Sequence, residues 1–148
     1  MMSKTFVVDT SVCLKLLFND EIYFQEATNL FNSYADKKID LILPNITIYE
    51  LANAIRSKAL SQKIVHSEAD MYFKRLTAVF SNIVHMEDVM DICLKNAFKY
   101  NLSVYDATYI TLAASHNTQL ITADDKLVKN INDSTLAISL KDFIIQSV

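Results

Sequence analysis

The stretch VYDATYITLAASHNTQLITADDKL, residues 104–127, changes its periodicity twice. Ala107, Ile110, Thr111 and Ala114 recur at the three- and four-residue spacing of a helix with one apolar face. The short run Gln119–Thr122 then reads as a buried strand, and the acids Asp124 and Asp125 open a new helical pattern. A helix that delivers the chain to a short apolar strand, followed at once by another helix, is the repeating unit of a parallel sheet.

The same alternation extends in both directions. Strand-like runs occur at Thr5–Val8, Asp40–Leu43, Asn82–Val84 and Leu136–Leu140. Helical stripes between them carry Tyr23, Ala27, Leu30, Phe31 and Tyr34; then Val65, Ala69, Tyr72, Phe73 and Leu76; then Val89, Ile92, Cys93, Asn96 and Ala97. The pattern predicts an α/β fold with a mostly parallel sheet covered on both faces.

Composition sets bounds on this reading. The chain has 148 residues and is 51% hydrophobic and 21% charged, which suits one domain over 1–148 with a sizeable core. No run approaches the roughly 20 apolar residues of a membrane span, and the start MMSKTFVVDTSV lacks a signal-peptide pattern. A cytoplasmic protein without membrane contact is the expectation. The net charge of −3 argues against a protein that grips nucleic acid mainly by counterion release. Glycine is absent, which excludes glycine-rich phosphate loops, the dinucleotide fingerprint and the nucleophile elbow. Asparagine must then serve the left-handed helix ends, with Asn101 and Asn117 the candidates. Cys13 and Cys93 read as buried thiols. His66, His85 and His116 form no ligand constellation.

In open α/β sheets, sites form beyond the carboxyl ends of the strands. Asp9 ends the first strand in FVVDTSV, and Asp124 follows the strand Gln119–Thr122. Asp106 starts a helix, and Glu50 lies in the helix after the second strand, in PNITIYELANAI. Each acid also fits a capping role: Asp9 ahead of Thr10 and Ser11, and boxes at Thr47–Glu50, Ser103–Asp106 and Thr122–Asp125. Spacing alone leaves both readings open. If the carboxylates converge, a hard divalent cation relieves their repulsion. Pro44 closes the second strand and suits a first helical turn.

FVVDTSV, PNITIYELANAI, VYDATYITLAASHNTQLITADDKL and LAISLKDFI resemble, in order and over nearly the whole chain, the PIN domain. More closely they are similar to VapC toxins of toxin–antitoxin pairs. The resemblance implies a three-layer α/β/α domain with a central sheet of four to five strands. It implies an endoribonuclease that hydrolyses RNA phosphodiester bonds with one or two Mg²⁺ or Mn²⁺ ions, leaving 5′-phosphate and 3′-hydroxyl ends. The family's acids fall on Asp9, Glu50, Asp106 and Asp124, as catalytic and metal-binding residues. Ser11, Asn53 and Thr122 fall on supporting positions, and Asp125 is read as closing a capping box begun by Thr122. A VapB-like antitoxin and a homodimer are the implied partners. Arg56, Lys58, Lys126 and Lys129 lie near these acids in sequence, as RNA phosphate contacts or as ordinary solvated surface. The segment VCLKLLF is apolar nearly all round, through Leu14, Leu17 and Phe18, and so is either a partner surface or fully buried. A housekeeping RNA-processing nuclease and a non-catalytic PIN scaffold are the alternatives.

Overall fold

The computed structural model describes residues 3–19 and 21–143. The ends of the domain expected over 1–148, and the last residue of LAISLKDFI, lie outside the described residues. The order is β1 (Lys4–Val8), α1 (Thr10–Lys15), α2 (Phe24–Ala35), β2 (Ile39–Pro44), α3 (Ile46–Gln62), α4 (His66–Ala78), β3 (Ile83–Val84), α5 (Met90–Tyr100), α6 (Val104–Ser115), β4 (Leu120–Thr122), α7 (Asp125–Ile131) and β5 (Ala137–Ser139). All five expected strands are present. They form one sheet in the order β3-β2-β1-β4-β5, every described pairing parallel.

Side-chain alternation along the strands builds the three layers. Phe6 and Val8 of β1, with Ile39, Leu41 and Leu43 of β2, face a core closed by Val12, Leu30, Leu51 and Leu76 of α1 to α4. Val7 and Ile42, one residue out of phase, face the opposite core with Cys93, Ile110, Leu112 and Leu127 of α5 to α7. The fold is therefore three-layer α/β/α. Helix α6 is buried from Ala107 through Ala113, because it is sandwiched between the sheet and α5. Its small residues permit that close approach.

The absence of glycine is met by six other residues with positive φ among those described. Asn101 and Asn117 are two of them, as expected, and Asn132 is a third. Lys37, Lys63 and Tyr23 complete the set, at positions the sequence pattern does not mark. Their side chains carry a cost of roughly 1–2 kcal/mol each in this region, which hydrogen-bonded chain reversals such as Lys38 N–H to Ser33 and Ile64 N–H to Ala59 help to offset. Pro44 is the last residue of β2 and not part of a helical turn, since α3 begins at Ile46 after Asn45. Both cysteines are buried and free. No described helix is long and apolar enough to cross a membrane.

The strand order fixes where a site can form. From β1 the chain winds outward through β2 and β3, then crosses back to β4 and β5 on the other side. The switch point lies between β1 and β4, where neighbouring connections leave in opposite directions and open a crevice at the carboxyl edge. Val8 pairs with Ile121 there, so Asp9 and Thr122 come next on the two strands.

Candidate metal-binding site

Asp9 is the most buried of the four acids, 8% exposed. It caps α1 by accepting the Val12 N–H at 3.3 Å. Its Oδ1 also accepts the Ser11 hydroxyl, and its Oδ2 accepts the Thr122 hydroxyl. Burial pushes its pKa up to about 6; these three donors oppose the rise, and the negative charge of Asp106 adds to it. A carboxylate so placed has hydroxyl partners but no cation. None of Asp9, Glu50, Asp106 and Asp124 takes part in a salt bridge among the described residues.

Glu50 reaches the same crevice from α3. Its Oε1 accepts the Tyr109 phenol at 2.6 Å and the Thr10 hydroxyl at 3.3 Å. Tyr109 is 2% exposed, and its oxygen also lies 2.9 Å from the hydroxyls of Thr10 and Thr47. Burial first, and then the charge of Glu50, drive the Tyr109 phenol far above its ordinary range, so it stays a protonated donor. Thr10 is adjacent to Asp9, so this cluster ties α1, α3 and α6 together behind two of the acids. Tyr109, Thr10 and Thr47 are the residues that sequence reasoning missed. The available signal was a hydroxyl three residues from an acid on one helical face: Thr47 before Glu50, and Tyr109 after Asp106. The capping-box reading of Thr47–Glu50 fails because α3 starts at Ile46, which puts Thr47 inside the helix, where it is buried against Tyr109.

Asp124 is itself a helix cap, and Asp106 is held by one. Ser103 caps α6 by accepting the Asp106 N–H at 3.0 Å, and donates to the Asp106 carboxylate at 2.9 Å. Asp124 caps α7 by accepting the N–H groups of Lys126 and Leu127, while its own N–H donates to Thr122 Oγ1 at 3.0 Å. Thr122 thus bridges Asp9 and Asp124, and Ser11 adds a second link through the Ala123 N–H. The box expected from Thr122 to Asp125 is absent, because the Thr122 hydroxyl is committed to Asp9. Asp125 turns instead to Ser139 at 2.7 Å and Lys141 at 3.2 Å, which pin α7 to the segment around the end of β5. Those two partners hold its pKa below the ordinary carboxylate range.

These positions assign opposite outcomes to two neighbouring substitutions. Asp125→Asn is expected to lower the melting temperature, most visibly above pH 4, where the carboxylate is charged, and to leave Mn²⁺ affinity unchanged. Asp124→Asn retains a good cap and is expected to weaken Mn²⁺ binding with little change in melting temperature. Calorimetric titration and thermal unfolding of the two variants measure both.

The other expected residues are dispersed. Asn53 is exposed on α3, one turn beyond Glu50, and Arg56, Lys126 and Lys129 are exposed as well. Lys58 is paired instead: its ammonium is 2.7 Å from Glu21. Leu14 and Leu17 of the VCLKLLF segment pack against the core, while residues 14–18 keep partial exposure, so that segment is half-buried and not fully buried.

The donor set tests whether a hard cation fits. Every polar side chain facing Asp9 and Glu50 presents oxygen, the chemistry Mg²⁺ and Mn²⁺ favour. Among the described residues, no three acidic, histidine or cysteine side chains are gathered closely enough to hold an ion by themselves. The acids stand as linked neighbours, with Asp106 and Asp124 still turned toward their helix caps. That arrangement fits Mg²⁺, which usually binds through one or two carboxylates plus water and substrate phosphate, and not a cation that needs an all-protein cage.

Residues 6–132 match the PIN domain family. The chain belongs to that family. As a PIN domain it is 26% identical over 98 residues to Exonuclease VapC9 of Pyrobaculum aerophilum, spanning 66% of this chain and 72% of that protein. Its fold is similar to the crystal structure of PAE2754 from Pyrobaculum aerophilum, with a TM-score of 0.69 at 24% identity over 95% of this chain and 93% of that one. It is also similar to FitAcB from Neisseria gonorrhoeae, with a TM-score of 0.65 at 14% identity over 93% of this chain and 99% of that one. A third PIN-like neighbour is FitAB bound to an IR36 DNA fragment, with a TM-score of 0.66 at 12% identity over 96% of this chain and 99% of that one.

Proposed function

We propose that this PIN domain is a Mg²⁺- or Mn²⁺-dependent endoribonuclease acting as the toxin of a VapBC-type pair. The observation that carries the nuclease reading is Asp9, a buried carboxylate at the switch point of the sheet that no described salt bridge neutralises. It is linked through the Thr122 hydroxyl to Asp124, is adjacent in the chain to the Thr10 that donates to Glu50, and is close enough to Asp106 to feel its charge. The relative's name, an exonuclease, supports nucleic-acid hydrolysis. In this reading Asp9 and Asp106 hold the ion, with Glu50 and Asp124 contributing directly or through water. When bound, such an ion lowers the pKa of water and stabilises charge on the phosphoryl oxygens.

The protein's own part is positioning. Ser11, Thr122 and the Val12 N–H keep the Asp9 carboxylate in one orientation. Tyr109 and Thr10 occupy one oxygen of Glu50, which leaves the other to orient the attacking water. A VapB-like antitoxin partner rests on the motif resemblance. A homodimer is part of the same reading, and the exposed Leu94 and Phe98, one turn apart on α5, supply apolar surface for it.

The test is cleavage of a mixed-sequence RNA with and without Mn²⁺, together with calorimetry on the metal alone. Metal-dependent internal cleavage and Mn²⁺ binding that is weakened in Asp106→Asn are the expected results. A protein that neither binds Mn²⁺ nor cuts RNA is a scaffold, and the proposal fails.

A further inference from the structure

The groove beside the acids has a basic wall that no motif marks. Its lining includes Ser11, Lys15, Glu21, Lys58, Asp124 and Asp125. Lys15 Nζ lies 3.1 Å from Glu21 Oε2, and Lys58 Nζ lies 2.7 Å from Glu21 Oε1. The two lysine side chains are only 16% and 29% exposed, far less than solvated surface lysines such as Lys38 or Lys74. Lys58 is held further by the Phe18 ring, 4.6 Å below its ammonium. They come from different helices, α1 and α3, so the fold, and not local sequence, brings them together.

Among the described residues Glu21 is the only carboxylate within ion-pair distance of either ammonium group, so the three side chains together carry one net positive charge. Glu21 uses one oxygen for each lysine. A phosphodiester has the same arrangement: two non-bridging oxygens on one centre and a single negative charge. Its oxygens can replace those of Glu21 one for one, and each lysine then keeps a charge-assisted hydrogen bond. Glu21 sits in the connection between α1 and α2, so leaving the lysines breaks no helix.

We propose that Lys15 and Lys58 form the subsite for an RNA phosphate flanking the cut, and that Glu21 occupies it until the substrate displaces it. This rests on the nuclease reading and adds to it a built-in competitor for substrate. The subsite explains how a chain of net charge −3 draws a polyanion to an acidic crevice. The positive charge is concentrated at one groove wall and is covered when RNA is absent.

The experiment is binding of a fluorescent single-stranded RNA, by anisotropy, at low ionic strength and with EDTA so that no cleavage occurs. Glu21→Gln is expected to tighten binding about fivefold. Lys15→Met and Lys58→Met are each expected to weaken it, and in the Lys15→Met/Lys58→Met background Glu21→Gln should lose its effect. Asp36→Asn, which removes an exposed charge before β2 at the opposite edge of the sheet, is the control for net charge. The proposal is overturned if Glu21→Gln changes nothing, if it acts no more strongly than Asp36→Asn, or if its gain survives loss of both lysines. It is also overturned if neither wild type nor Glu21→Gln binds. Cleavage with Mn²⁺ is assayed separately on wild type. Tighter binding by Glu21→Gln with no wild-type cleavage keeps the subsite and removes the nuclease, and the reverse pattern does the opposite.

Discussion

Asp9→Asn is expected to reduce metal-dependent RNA cleavage at least about a hundredfold and, in metal-free buffer at pH 7, to raise thermal stability. The two effects share a cause. The folded protein holds the Asp9 proton up to about pH 6, whereas a carboxyl group with its ordinary value of 3.8 releases it earlier. Between these values the folded state binds more protons than the unfolded state, so stability falls as pH rises. The cost is complete above pH 6 and approaches about 3 kcal/mol. Asparagine carries no such charge and still caps α1. Part of the gain is lost at the Thr122 hydroxyl, which must find a new acceptor, so a net rise of about 1–2 kcal/mol is expected.

Unfolding curves for both proteins across pH 4–8 check this directly. Wild type should lose stability through pH 6 and recover it when Mn²⁺ is added. The Asp9→Asn protein should show neither response. A variant that keeps full cleavage, or one whose pH profile matches wild type, would show that the buried charge is not the seat of the chemistry.

Tyr109→Phe is the second large effect, and only the three-dimensional structure points to it. The phenol donates to Glu50 at 2.6 Å and meets both threonine hydroxyls at 2.9 Å. Removing it leaves Thr10 and Thr47 without their shared partner in a buried site, at a cost of about 1–3 kcal/mol. Glu50 keeps only the longer Thr10 contact and gains rotamer freedom. The expected kinetic result is a fall in kcat of about tenfold or more with KM nearly unchanged, as for loss of a positioned group rather than a binding contact. Circular dichroism establishes that the variant is folded. A fall in KM and kcat alike, or no change in kcat, would show that Tyr109 serves packing alone.

How much of the site was legible in the sequence differs residue by residue. Asp9, Glu50, Asp106 and Asp124 were legible because each acid interrupts an apolar neighbourhood near a strand end or helix start. Tyr109 was hidden by its surroundings: an aromatic residue in a buried helix looks like core, and only its hydrogen bonds to Thr10 of α1 and to Thr47 and Glu50 of α3 show its oxygen at work. Asp125 misled because a Ser/Thr-x-x-acid spacing is satisfied by composition alone. The Thr122 hydroxyl donates to Asp9, the cap of α1, and α7 takes Asp124 as its cap, and no local pattern records that.

The sequence by itself determined the alternation of helices and strands, since hydrophobic periodicity is a property of neighbours along the chain. It also marked the need for left-handed asparagines in a chain without glycine, and located four acids. Only the tertiary structure decided which hydroxyl groups hold these acids. Hydrogen bonds such as Asp9 to Thr122 and Glu50 to Tyr109 join residues far apart in the chain, and their existence depends on strand order and helix packing. The same holds for Lys15 and Lys58, whose common carboxylate lies in a loop that neither helix's pattern could assign to them.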